Sequence, residues 1–342
     1  MTTSTVTVLN NGVIFSASYD QCVLDSGLAE GVALPHQCRG ASCGQCKAHI
    51  EEGTVNHGWS FGLAITDAEK DDGYCLMCQA RPTSAQLVLR TVQPMGNEAQ
   101  ATVEVSGALV AVEQLTPRVR RLVFHVPDAS RIFRPGSYAE LQLPSISPDR
   151  VYSFANSESE RDQLEFLVAL HPEGRASGYL HSNVRVGDFL GLKGPFGACR
   201  LPVGSGPVLG MAGGTGLAPV LSIFESELAS GATDQFTLLF AVRTDDDIFA
   251  LDRLMALAGR YANFTYGLVV AEGQSRFCAH PMLISDYIRA SYQSLVGWRA
   301  VVSGSPGFVA AATEACRDQG MHLDDISADS FVDVQATVVE AE

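Results

Sequence analysis

Hydrophobic and polar positions along the chain shift repeatedly between the period of a strand and that of a helix. Over "TVTVLN" (5–10) and "VIFSAS" (13–18) apolar residues recur every second position, the signature of half-buried strands. Asn10-Asn11-Gly12 between them predicts a hairpin. "QCVLDSGLAEGVAL" (21–34) reads as a short helix with Val23, Leu24 and Leu28 on one face, ending near Gly31. Strands follow at "KAHIEE" (47–52) and "AQLVLRTV" (85–92). "TVQPMGNEAQATV" carries Pro94 and Gly96 between strand-like segments and reads as a linker over 94–101. Beyond it the pattern is strand-rich: "TVEVSGALVAVEQL", "VRRLVFHV", "SYAELQL", "LEFLVAL" and "DFLGLKGP" predict an antiparallel β-barrel over 102–202. From 203 to 342 short apolar strands alternate with helical patterns: "FTLLFAV", "IFALDRLMALA", "FTYGLVV", "PMLISDYIRA", "WRAVVSGS" and "PGFVAAATEACRDQG" predict a parallel α/β sheet. The expectation is thus a mixed α+β and α/β chain of three modules, 1–93, 102–202 and 203–342.

The length of 342 residues gives each module a core of its own. A net charge of −15 argues against nucleic acid or an anionic membrane as partner. Residues 94–202 nevertheless hold eleven of the 23 bases, which makes that segment the place to expect a bound phosphate. "MTTSTVTVLNNG" has neither a basic start nor an apolar signal core. The most apolar run, "LGMAGGTGLAPVLSIF", is broken by glycines and a proline and does not read as a membrane span. The cytoplasm is therefore the expected location. Nine cysteines in such a chain point to metal or redox chemistry rather than a disulfide framework.

Five of the nine are clustered, in "CRGASCGQC" (38–46) and "GYCLMCQARP" (73–82). Two four-thiol sets compete. Cys43, Cys46, Cys75 and Cys78 form two C-x2-C pairs, the pattern of a structural zinc site. Cys38, Cys43, Cys46 and Cys78 form C-x4-C-x2-C with a distant fourth, the plant-type [2Fe–2S] spacing. The loop favours the second set. A cluster with bridging sulfides needs backbone wrapped closely around it, and Gly40, Ala41, Ser42 and Gly44 permit that approach. Leu76-Met77 supplies an apolar lid instead of a glycine-rich knuckle. Cys75 is then the spare thiol. A Rieske centre is excluded, because His36, His49 and His57 do not form the histidine–cysteine pairs it uses.

The first module resembles the plant-type ferredoxin β-grasp fold, on "LPHQCRGASCGQC" and "CQARP", with Ala41 standing where that family usually has glycine. In the second module "RVYSFAN", "GRASGYL" and "GPFG" resemble, in order and spacing, the flavin domain of the ferredoxin–NADP reductase superfamily. The resemblance implies that Arg150 meets a flavin phosphate, Tyr152 stacks on the isoalloxazine and Ser153 approaches flavin N5. It implies that Gly174, Arg175, Ala176 and Ser177 start a helix facing the pyrophosphate, with Ser177 suited to cap it. Ala169 stands where relatives carry a basic residue, and Arg175 is the candidate substitute. FAD is expected over FMN, because FMN members place the ferredoxin module last.

In "GPVLGMAGGTGLAPVLSIFESEL", Gly213, Gly214, Thr215 and Gly216 form a turn between strand and helix where backbone approaches a phosphate. Pro219 replaces the third glycine of the dinucleotide fingerprint and suits a helix's first turn. The segment from 203 resembles the NAD(P)H domain of reductases serving ring-hydroxylating oxygenases. Ser303-Gly304 stands where relatives carry Cys-Gly near the nicotinamide, and Asp329 and Phe331 match the tail that lies near the flavin. Glu272 after "YGLVV" would repel a 2′-phosphate, so NADH is expected. Asp245–Asp247 read as a solvated face, and Arg276 argues the other way.

A nicotinamide gives up two electrons together, a [2Fe–2S] centre takes one, and a flavin mediates between them. The resemblance therefore implies the reductase component of an aromatic-ring-hydroxylating oxygenase, delivering electrons to a terminal oxygenase, directly or through a separate ferredoxin. A reductase of a soluble di-iron monooxygenase or of a sugar deoxygenation system is the enzyme alternative. A zinc-stapled nucleotide-binding module is the non-enzyme one.

Overall fold

The N-terminal hairpin forms as its alternation predicts. β1 (Thr3–Val8) and β2 (Val13–Ser18) pair antiparallel from Thr3↔Ser18 to Val8↔Val13. Gly12 turns the corner at φ +72°, a left-handed conformation that glycine adopts freely. The computed structural model describes residues 3–36, 41, 44–58, 60, 64–92, 102–197 and 199–331. The expected linker 94–101 lies outside the described residues, as do Cys38 and Cys43. The chain divides into two units, residues 1–101 with 329–342 and residues 102–328.

In the first unit α1 (Val23–Ala29) buries Val23 and Leu24, and Leu28 packs beside them half-buried. The helix is capped by a thiol: Cys22 Sγ accepts from the Asp25 N–H at 3.4 Å. Next come β3 (Lys47–Glu52), β4 (Val55–Asn56) and α2 (Asp67–Asp71), whose start is a capping box between Thr66 and Glu69. β5 (Tyr74–Leu76), β6 (Arg81–Pro82) and β7 (Gln86–Thr91) complete the unit. The main sheet runs β2-β1-β7-β3-β5. β1 and β7 pair parallel, and the neighbours on either side pair antiparallel. The first and last strands thus meet in the middle of the sheet.

The barrel comprises β8 (Val103–Thr116), β9 (Val119–His125), β10 (Tyr138–Leu143), β11 (Ile146–Ser153), β12 (Gln163–Ala169) and β13 (Phe189–Phe196), with α3 (Arg175–Ser182) between the last two. The strand order is β11-β10-β13-β8-β9-β12, antiparallel throughout. A single bridge, Phe154↔Phe166, joins the two ends of that order and closes the barrel. Register shifts at Leu109/Ala111 and Gln114/Thr116 bend the long strand β8, as bulges do. Phe124, Phe154 and Phe166 fill the core, with ring centroids 5.9 Å and 5.3 Å apart from Phe166.

The remainder alternates as expected: β14 (Val208–Gly213), α4 (Leu217–Ala229), β15 (Phe236–Val242), α5 (Leu251–Arg260), β16 (Phe264–Val270), α6 (Ile284–Ser291), β17 (Arg299–Gly304), α7 (Pro306–Asp318) and β18 (Ile326–Ser330). The sheet order is β16-β15-β14-β17-β18, and β14 to β17 run parallel. Succession runs outward from β14 to β16, then crosses to β17 on the other side. The gap between the ends of β14 and β17 is the topological switch point where open α/β sheets bind ligands. α5 begins three residues later than the sequence pattern suggests. Thr244–Asp247 form a separate capped turn, and Ala250 precedes the helix in a left-handed conformation at φ +56°. No helix among the described residues is long and apolar enough to cross a membrane.

Candidate functional site

Of the four expected cluster ligands, Cys46 and Cys78 are described. Both are buried, at 2% and 6% exposure. The Met77 N–H donates to the Cys46 carbonyl at 3.0 Å, which draws the two ligand-bearing segments together. Met77 also accepts at its carbonyl from the Leu24 N–H, so α1 supports the same turn. Ala41 and Gly44 both take left-handed backbone, at φ +57° and +71°. Gly44 has a steric reason for being glycine as well, because a Cβ would stand 3.3 Å from the Ala64 carbonyl oxygen. Ala41 is 1% exposed, so the family's usual glycine is replaced here by a residue with its methyl enclosed and its backbone at a cost. Cys75 lies in β5 opposite Ala48, within the apolar core. Burial pushes its thiol up to about 12, and the neighbouring Cys78 adds to the shift. Tight left-handed backbone beside two enclosed thiols fits a cluster held by a close-wrapped loop.

Arg150, Tyr152 and Ser153 lie on β11, and Gly174 to Ser177 at the start of α3. Arg150 and Tyr152 are two positions apart on β11 and so share a side of the strand. Tyr152 pairs with Ala139 and Ser153 with Tyr138, whose ring stacks on Phe196 at 5.8 Å. Burial raises the Tyr152 hydroxyl to about 12 against the opposing pull of the Arg150 charge, so it is neutral at physiological pH. α3 begins at Arg175, with Gly174 at the cap position and no side chain capping it. Ser177 is not the cap: it sits a turn in, where its hydroxyl accepts from the His171 N–H at 3.0 Å and donates to the Gly174 carbonyl at 3.2 Å. It braces the approach to the helix and leaves the first amides, those of Arg175 and Ala176, without a side-chain partner among the described residues. A Cβ at Gly174 would stand 2.4 Å from Ser177 Oγ. An uncapped helix start of this kind favours an anion. Arg175 is exposed and reaches the Ser145 carbonyl at 3.1 Å, while Ala169 is exposed at the end of β12. Several of the bases in 94–202 are committed to protein partners: Arg120 to the Leu180 carbonyl, Arg121 to Glu165, Arg134 to the carbonyls of Ser130 and Phe133.

At the switch point Gly213, Gly214, Thr215 and Gly216 form the turn from β14 into α4. Gly214 is left-handed at φ +54°. A Cβ at Gly216 would lie 2.2 Å from the Ser303 carbonyl oxygen, and one at Gly213 2.9 Å from the Phe308 ring. Ser303 is fully buried at the end of β17, and its hydroxyl has no hydrogen-bond partner among the described residues. An orphaned buried hydroxyl costs about 1–3 kcal/mol. Its place beside the glycine turn fits a site that receives a polar group. Pro219 falls in the first turn of α4, as its chemistry requires.

Asp245–Asp247 are not a solvated face. Asp245 accepts from the Arg276 N–H at 2.8 Å and from the Ser275 hydroxyl at 2.7 Å, which hold its carboxyl below the ordinary range. Asp247 closes a capping box with Thr244. Only Asp246 is exposed. Arg276 Nε also faces Asp245 at 3.4 Å, so its charge already has an acidic partner. This Asp245–Ser275–Arg276 knot escaped the sequence reading, because thirty residues separate its halves. Glu272 is exposed after β16, anchored by its N–H to the Arg243 carbonyl at 2.8 Å. Phe331, half-buried, ends the described chain.

Three families of known protein domains match the chain. A [2Fe–2S] iron–sulfur cluster binding domain matches residues 6–83, an oxidoreductase FAD-binding domain residues 106–201, and an oxidoreductase NAD-binding domain residues 211–314. The reductase component of the naphthalene 1,2-dioxygenase system of Pseudomonas putida is 34% identical over 94% of this chain and 96% of that protein. The chain belongs to the family of flavin- and [2Fe–2S]-dependent oxygenase reductase components. Another member, the toluate 1,2-dioxygenase electron transfer component of Pseudomonas putida, is 32% identical over the same shares. The crystal structure of an Amycolatopsis cytochrome P450 reductase superposes with a TM-score of 0.77 at 27% identity, covering 96% of this chain and 98% of that one. As an oxygenase reductase, the chain is an oxidoreductase that uses NAD(P)H, FAD and a [2Fe–2S] cluster. The zinc-staple alternative falls with the iron–sulfur match.

Proposed function

We propose that this reductase takes hydride from NADH and supplies the terminal component of an aromatic-ring-hydroxylating dioxygenase, directly or through a separate ferredoxin, in the cytoplasm. The observation that carries the reading is the likeness over nearly the whole chain to the naphthalene and toluate dioxygenase reductases. FAD held by these residues would supply the conversion between the two-electron chemistry of a nicotinamide and the one-electron chemistry of a [2Fe–2S] centre.

The chain's own residues hold and orient these groups. Cys38, Cys43, Cys46 and Cys78 are the iron ligands, and Cys75 is a packing residue. Arg150 and the free amides at the start of α3 neutralise flavin phosphate, supported by Gly174, Arg175, Ala176 and Ser177. Tyr152, neutral and largely enclosed, offers its ring to the isoalloxazine, and Ser153 borders the reactive edge. The turn Gly213–Gly216, with Thr215, carries the coenzyme pyrophosphate. Ser303 offers its unpartnered hydroxyl on the nicotinamide side. Glu272 selects NADH by repelling a 2′-phosphate, and Asp245 strengthens that choice by occupying Arg276.

The test is reconstitution. The purified chain with NADH should support ring hydroxylation by a dioxygenase terminal component, with or without added ferredoxin. Turnover of a cytochrome P450 or a di-iron monooxygenase instead, with no dioxygenase served, would overturn the assignment.

A further inference from the structure

Beyond the residues that meet cofactors, one half-buried polar cluster around the buried Glu165 lies where the barrel adjoins the nucleotide-binding module. Arg253, on α5, donates through Nε and Nη2 to both oxygens of Glu225 on α4, at 2.5 and 2.6 Å. It also reaches across to the barrel, with Nη1 donating to Glu165 Oε1 on β12 at 2.9 Å and Nη2 to the Ala155 carbonyl at 2.7 Å. Glu165 is 2% exposed and is satisfied from the other side by Arg121 on β9 at 2.8 Å. Its own backbone is pinned to the same segment: the Ala155 N–H donates to the Glu165 carbonyl, and the Glu165 N–H to Asn156 Oδ1. Two residues beyond Asn156, the Glu158 N–H donates to the Ser226 hydroxyl on α4 at 3.1 Å. Beneath this polar layer Val119, Ala155 and Leu167 of the barrel share one apolar core with Leu217, Leu221 and Phe224.

Ala155 is two residues beyond Ser153, the end of the strand that carries Arg150 and Tyr152. The helix that Arg253 grips through Glu225 is α4, which grows directly out of the Gly213–Gly216 turn. The cluster therefore ties the flavin-bearing strand to the coenzyme-bearing helix through one guanidinium. Such a cluster is a costly way to gain stability, since desolvating its charges offsets much of their attraction. Its distinctive product is a fixed geometry, because a planar guanidinium with several committed donors sets direction as well as distance.

We propose that Arg253 is a positioning residue for hydride transfer: bridging Glu225 to Glu165 and Ala155, it holds the nicotinamide-binding and flavin-binding surfaces at reacting distance without touching either cofactor. Displacing reactants by about an ångström costs up to a hundredfold in rate, while binding of each partner is left nearly intact.

The experiment compares Arg253→Lys and Glu165→Gln with the parent holoenzyme. Lysine keeps the charge but cannot serve Glu225, Glu165 and Ala155 in one plane. Glutamine keeps the volume and removes one inter-module acceptor charge. Anaerobic stopped-flow reduction of the bound flavin at saturating NADH should slow about tenfold or more in Arg253→Lys and less in Glu165→Gln. The KM for NADH should stay within about twofold, and flavin and iron content should be unchanged. Amide exchange should accelerate at Glu158 and along the start of α5, while β8 and β9 keep their protection. An unchanged reduction rate would overturn the proposal, leaving the cluster a structural tie only. So would a loss confined to KM, which would make it a binding device. Loss of flavin or uniform loss of protection in both variants would reassign the cluster to folding.

Discussion

At Ala41 the chain departs from its family's glycine and accepts a left-handed backbone at φ +57°. That conformation costs a non-glycine residue roughly 1–2 kcal/mol, and the wider freedom of glycine in the unfolded chain returns part of it. Ala41→Gly should therefore raise the thermal midpoint of the cluster-loaded protein slightly; a fall would mean the enclosed methyl packs better than its backbone is strained. The thiols separate more sharply. Cys78→Ser should abolish the visible iron–sulfur absorption, while Cys75→Ala should retain it at somewhat lower stability, and the reverse pattern would reassign the ligands. For the coenzyme, Asp245→Asn should release Arg276 and Glu272→Ala should remove a repelling charge. Each should raise kcat/KM for NADPH relative to NADH, on the order of threefold to tenfold for a charge effect near the surface. Because the Asp245 carboxyl is held below its ordinary value, its grip is complete above the usual aspartate pKa of about 3.9 and is lost only as pH falls through the lower folded value. Titration of Asp245 should accordingly add no pH dependence to coenzyme preference above roughly pH 6 in a steady-state comparison.

Among the elements, strand positions were the most legible in the sequence. "KAHIEE", "FTLLFAV" and "FTYGLVV" coincide with β3, β15 and β16, because period-two alternation or a short apolar run bounded by turns leaves little choice. Caps and turns were less legible. Ser177 has the chemistry of a helix cap, yet its hydroxyl is drawn back to His171, a competition that sequence spacing does not reveal. Three consecutive aspartates look solvated until a partner thirty residues away folds onto them. The clamp at Arg253 is hidden for the same reason, since 88 residues separate it from Glu165. Two elements offer direct tests. Gly216→Ala would push a methyl into the Ser303 carbonyl, so it should weaken coenzyme binding and lower stability together, as titration and thermal melting would record. Phe166→Ala, at the barrel's closing bridge, should cost about 3–5 kcal/mol in denaturant unfolding and release flavin.

For the molecule as a whole, composition and order of parts carried more of the function than any single residue did. An Arg-x-Tyr-Ser strand and a glycine turn are each weak alone, beside a thiol cluster whose spacing is more specific. Their succession in one chain matches a path from coenzyme through flavin to cluster. The sequence did not disclose which terminal component the chain serves.

The parallel pairing of β1 with β7 carries a consequence for biogenesis. The sheet that supports the iron-binding loop has its opening strand flanked by its closing one, so residues 3–8 cannot be seated until residues 86–91 have emerged from the ribosome. Local segments of such a sheet gain little before the distant contact forms. Nascent chains halted short of that point should carry thiols but no assembled metal centre, and iron delivery must wait for translation to move past the module it serves.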